Sequence, residues 1–135
     1  MIVVDTNVVA YYLLGTDAET ASAVAAHVRD SDWVAPPLWR SELRNVLCKH
    51  MRRRGLSLKA AVGVLERAEL MLGARDHPVD STHVLALAVD SGCTTYDCEF
   101  VSLALQRRAK VITADRRVVR AFPEVAVHLA EFSRE

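Results

Sequence analysis

Met1-Ile2-Val3-Val4-Asp5-Thr6-Asn7 carries the strongest fold signal in the chain. Consecutive branched apolar residues predict a fully buried strand, and Asp5 comes where that strand must run out into a turn. In open α/β sheets ligands bind in the crevice beyond the carboxyl ends of the strands, so an acid placed there faces that crevice rather than the core. Asp, Thr and Asn also cap helices well, and residues 8–14 read as a helix start, so a helix cap is the competing reading of Asp5. The choice turns on whether other carboxylates occupy equivalent places.

One does near the far end. Lys110-Val111-Ile112-Thr113 reads as a strand, and Ala114-Asp115 follows before a helix over residues 116–122, so Asp115 repeats the arrangement of Asp5, with an N-cap again as its alternative. Between the two, Asp17 opens an alanine-rich segment over 18–29 with Ala21, Val24, Ala25 and Val28 at helical spacing, and Trp33-Val34-Ala35 reads as a short strand. Pro36-Pro37 presets a helix with apolar Trp39, Leu43, Val46 and Leu47. Glu42 shares the face of Trp39 and Val46 and is expected to point inward, where an ion pair with Arg40 or Arg44 is the alternative to a functional role. That helix ends in the basic run 49–54 before Gly55. A helix over 57–73, a short strand at His77-Pro78-Val79 and a helix capped by Asp80 or Ser81 come next. Asp97 precedes Phe100 and Val101 on an inward helical face, or else closes a capping box with Thr94. Pro123 closes the helix after Asp115, and residues 125–129 supply a last strand before a polar end. Alternating strands and helices imply parallel strands joined by right-handed crossovers in an α/β helix–sheet–helix sandwich.

The totals are consistent with one domain over residues 1–135, long enough to bury about two-thirds of its unfolded surface. With 51% hydrophobic and 25% charged residues the composition is ordinary, and no apolar run approaches the length that spans a bilayer. The first strand leaves no room for a signal peptide, so cytoplasmic residence is expected. Cys48, Cys93 and Cys98 lack zinc-site or redox spacing and read as small core hydrophobes. Net charge is zero, so attraction to nucleic acid would need local basic patches or a bound cation.

In a parallel sheet Asp5 and Asp115 leave at the same edge, Asp97 starts a helix there, and Glu42 faces inward from another helix. Acids sharing one pocket repel and raise one another's pKa values unless a cation neutralises them. Oxygen-only ligands favour magnesium, with manganese as a possible substitute, and magnesium commonly takes substrate phosphates as further ligands. The chemistry that follows is phosphoryl transfer to water.

The order Asp5-Thr6-Asn7, then Glu42, then Tyr96-Asp97-Cys98-Glu99-Phe100-Val101-Ser102-Leu103-Ala104, then Ile112-Thr113-Ala114-Asp115-Arg116-Arg117 resembles the PIN-domain ribonucleases across essentially the whole chain. The resemblance is closest to the VapC-type toxins of bacterial and archaeal toxin–antitoxin pairs. It implies a PIN-like three-layer α/β/α sandwich around a mostly parallel sheet of roughly four to five strands. It implies Asp5 and Asp97 as principal magnesium ligands, Asp115 and Glu42 as completing a catalytic acidic quartet, and supporting hydrogen bonds from Asn7 and Thr113. Glu99, about 200° around the helix from Asp97, is left outside. It further implies single-stranded or loop RNA as substrate, cut to a 5′-phosphate and a 3′-hydroxyl, a homodimer, and an antitoxin laid along the active-site groove. Arg116, Arg117 and Arg120 beside Asp115, and Arg52 and Arg53 within the run 49–54, are candidate phosphate contacts, with a solvated helix end as the alternative for each group.

Three other readings compete. A haloacid-dehalogenase-like phosphatase also starts from an aspartate after its first strand, but it needs a second aspartate where this chain has Asn7. A non-cleaving PIN scaffold would have little use for an intact quartet. A housekeeping RNA-processing nuclease shares every residue named, and an antitoxin gene immediately upstream would separate it from a toxin.

Overall fold

The computed structural model describes residues 1–73 and 77–134. Its centre is a sheet of β1 (Ile2–Val4), β2 (Trp33–Val34), β3 (Val111–Thr113) and β4 (Ala126–His128), all parallel and in the order β2-β1-β3-β4. Parallel neighbours need long crossovers, and helices supply them: α1 (Thr6–Leu14), α2 (Thr20–Arg29), α3 (Trp39–Arg54), α4 (Leu58–Leu72), α5 (Ser81–Ser91), α6 (Thr95–Arg107) and α7 (Arg116–Ala121), while α8 (Leu129–Arg134) follows the last strand. β1 and β3 are the two central strands, and every residue in them is buried, as their unbroken branched apolar runs require. The register sets Val4 beside Ile112, and the Asp5 N–H carries the ladder one step further by donating to the Ile112 carbonyl at 3.0 Å. Asp5 and Thr113 therefore leave the sheet side by side.

The core packs α1, α3 and α6 against this sheet through Val8, Val9, Leu13, Trp39, Leu43, Leu47, Phe100, Val101 and Leu103. The expected α3 face is buried at Trp39, Leu43 and Leu47, and Val46 is half-buried. Gly55 ends α3 in the left-handed conformation at φ 70°, which a residue with a Cβ adopts at a cost. No helix among the described residues is long and apolar enough to cross a membrane.

Several expectations need correction. His77-Pro78-Val79 forms no strand: proline offers no N–H to a ladder, and His77 is instead buried with its Nδ1 3.0 Å from an Arg107 guanidinium nitrogen. The chain does not finish as a polar tail, since Leu129 and Phe132 are buried on α8, which packs along α2. That packing selects the small face of α2, so Ala23 and Ala26 are buried while Val28, part of the apolar spacing noted above, is 81% exposed. Of the cysteines only Cys98 is buried; Cys48 and Cys93 are half-buried.

Candidate functional site

Asp5 stands at the N-cap of α1 with extended backbone, and its carbonyl accepts the Val8 and Val9 N–H groups at 3.0 and 3.3 Å. Its carboxylate makes no cap bond. It accepts instead from the buried Thr113 hydroxyl, Oγ1 to Oδ2 at 2.9 Å, so the side chain is turned along the sheet edge rather than onto the helix. Thr113 Oγ1 also accepts the Asp115 backbone N–H at 3.0 Å, so one buried hydroxyl ties both strand-end acids together. Although part of Asp5 stays accessible, the protein around its carboxylate pushes its pKa up, chiefly by desolvation. The Thr113 bond and the Thr6 N–H oppose that rise, and the charges of Asp97 and Asp115 add to it.

Glu42, half-buried on α3, accepts the buried Thr6 hydroxyl at 2.7 Å. Its pKa is also raised, first by burial and then by the charges of Asp5, Asp97 and Glu99 against the lowering effect of Thr6. An arginine partner would push it the other way. Arg40, one of the two partners considered for Glu42, reaches Glu69 on α4 at 2.7 Å and covers the Trp39 ring, and Arg44 is exposed. Asp97 is half-buried in the first turn of α6, where its N–H is capped by the Thr94 hydroxyl at 3.0 Å. Thr94 thus supplies the N-cap half of the competing capping-box reading, through the Asp97 backbone N–H. Asp5 and Asp97 line one small recess with Thr113.

Asp115 behaves differently. It does cap its helix, with Oδ1 accepting the Arg117 N–H at 2.9 Å, and the Arg117 side chain closes on both oxygens, Nε to Oδ1 at 3.3 Å and a terminal nitrogen to Oδ2 at 2.8 Å. Arg117 holds the Asp115 carboxyl below the usual carboxylate range. Among the described residues, no three His, Cys, Asp or Glu side chains are gathered closely enough to enclose an ion as they stand.

Two residues of this neighbourhood escape sequence reasoning. Thr6 carries no signal beyond its place in the opening stretch, yet it anchors Glu42. Glu99, expected outside the acidic group, is half-buried with its pKa raised by burial, and its charge is felt at Glu42. Asn7 is exposed and lines an open groove of about 230 Å³ with Lys49, His50, Arg53 and Arg54 from the end of α3. Arg52 is exposed outside that lining, Arg116 borders a separate hollow with Tyr11 and His128, and Arg120 is exposed on α7.

The PIN domain family matches residues 2–126. The chain belongs to the PIN domain family. This PIN domain is 34% identical over 85 residues to Ribonuclease VapC3 of Pyrobaculum aerophilum, an alignment covering 61% of the chain and 65% of that relative. The match thus spans a little under two-thirds of the relative's length. The crystal structure of PAE2754 from Pyrobaculum aerophilum superposes with a TM-score of 0.70 and 18% identity, covering 99% of this chain and 97% of that one, which is a likeness of fold.

Proposed function

We propose that this PIN domain is a divalent-metal-dependent endoribonuclease, the toxin of a toxin–antitoxin pair, with Asp5, Asp97, Asp115 and Glu42 as its acidic quartet. The observation that carries the reading is the desolvated Asp5 carboxylate, whose pKa is raised by that desolvation and by the charges of Asp97 and Asp115. Such an acid is costly alone and fits a cation among its neighbours. The fit is with a hard ion: every donor is an oxygen, and Thr113 and Thr6 orient Asp5 and Glu42 as outer-shell partners commonly orient ligands. Asp5 and Asp97 would hold magnesium or manganese, with Asp115 and Glu42 completing the set. When bound, the ion supplies charge neutralisation and activation of water.

The protein's own part is positioning. Thr113 fixes Asp5 and the Asp115 backbone at one edge, and Thr6 aims Glu42 inward. The groove that Lys49, Arg53 and Arg54 form with Asn7 would give the phosphates of an RNA strand a basic surface. A similarity to a protein called Ribonuclease VapC3 supports RNA as the substrate class. Exposed Leu85 and Val89 on α5, at 58% and 81%, offer apolar surface for the homodimer that the resemblance implies. A basic side chain of the antitoxin, entering among the acids, would exclude metal and substrate together.

Purified protein is incubated with single-stranded RNA in magnesium and in excess EDTA, and the ends of the products are mapped. Cleavage to 5′-phosphate and 3′-hydroxyl ends in magnesium alone is expected. Equal cleavage in EDTA, or none in either, contradicts the reading.

A further inference from the structure

The ion pair between Asp115 and Arg117 is two-pronged, like that of Arg40 with Glu69, but it falls on an acid of the proposed quartet. Asp115 is held beside Thr113 by its backbone N–H, which donates to Thr113 Oγ1, and by its Oδ1, which accepts the Arg117 backbone N–H. Its side chain is then gripped on both oxygens by a guanidinium two residues on, at 3.3 and 2.8 Å. The Arg117 side chain is 72% exposed and the Asp115 side chain 29%, so the arginine is the freer partner, able to leave without disturbing packing. Its guanidinium is held against both oxygens of an acid in the proposed quartet. Arg117 thus sits where positive charge is needed when no ion is present.

Resting on the metal-site reading above, we propose that Arg117 is a resident counter-cation that occupies the Asp115 carboxylate in the metal-free protein, and that a divalent ion must displace it to bind. The cation stabilises the apo pocket and, by the same contact, weakens apparent metal affinity. Removing the arginine therefore strengthens metal binding, the opposite of what removing a ligand or a supporting group does. An exposed pair of this kind accounts for a change of about two- to fivefold.

The test is calorimetric titration of manganese into the wild-type protein, Arg117→Met and Arg116→Met at fixed low salt, with melting temperatures of the metal-free proteins recorded alongside. Arg116→Met removes the same charge from the same helix but not the contact with Asp115. Arg117→Met is expected to bind manganese about two- to fivefold tighter than wild type, with Arg116→Met shifting by less than half that amount on a logarithmic scale. Equal affinities for wild type and Arg117→Met, or equal gains in the two variants, overturn the counter-cation while leaving the metal site standing. Absence of manganese binding in all three overturns both. Because the helix cap is a backbone N–H that methionine retains, Arg117→Met is expected to stay folded, and its metal-free melting curve checks this.

Discussion

Thr113 Oγ1 donates to Asp5 Oδ2 at 2.9 Å from the neighbouring strand, and the same oxygen accepts the Asp115 N–H. A buried hydroxyl used in both directions cannot be replaced by a methyl group without orphaning a partner on each side. Thr113→Val should therefore cost about 1–3 kcal/mol of stability in urea denaturation. It should also reduce cleavage by the protein that remains folded. A variant of wild-type stability and activity would show that the hydroxyl orders nothing.

Asp5→Asn and Asp97→Asn should separate function from fold. Each removes one of the mutually repelling charges around Asp5, and at position 5 the new amide oxygen can still accept from Thr113. The metal-free melting temperature should therefore stay level or rise while cleavage is abolished. A large drop in melting temperature in either variant would mark that acid as a structural cap instead.

The raised pKa values of Asp5 and Glu42 set a pH dependence. An acid whose pKa is higher folded than unfolded favours the folded state when protonated, so these groups withdraw stability as pH rises from their ordinary carboxylate range through their raised values. Metal-free protein should gain stability on mild acidification across that window, while metal affinity falls as protons compete for the same oxygens. Asp115, whose pKa is lowered, works in the opposite sense below its ordinary value, where acidification costs stability. Melting curves at several pH values, with and without magnesium, measure the balance; a metal-free stability flat across the window would count against buried, raised acids.

The basic groove should reveal itself through salt. Replacing Arg53 and Arg54 by glutamine should weaken RNA binding and lower the slope of log affinity against log salt by about 0.7 for each phosphate no longer neutralised. Filter binding over a salt series reads this directly, and an unchanged slope would return these arginines to the role of a solvated helix end.

Most of the architecture is legible in the sequence because the apolar runs ending in Asp5 and Thr113 are too branched and too short to be anything but buried strands, and parallel strands bring their ends to one edge. Asp5 is placed by that logic, and its failure to cap α1 with its side chain separates it from Asp115, which does cap α7. No spacing rule distinguishes the two, since the difference lies in Thr113 and Arg117. The electrostatic reach of Glu99 to Glu42 is not legible in sequence because its angle is measured from Asp97 along a single helix, whereas Glu42 approaches from α3. The exposed valines of α2 mislead for a related reason: periodicity finds an apolar stripe, but α8 packs on the alanines beside it.

In the proposed function Asp5 and Asp97 together hold a divalent cation. Manganese binding followed by electron paramagnetic resonance, through disappearance of the free-ion signal, tests it without depending on substrate. The wild-type protein is expected to quench the signal, and Asp5→Asn and Asp97→Asn, each still folded, to leave it largely intact. Quenching by either variant as strong as that of the wild-type protein would contradict it.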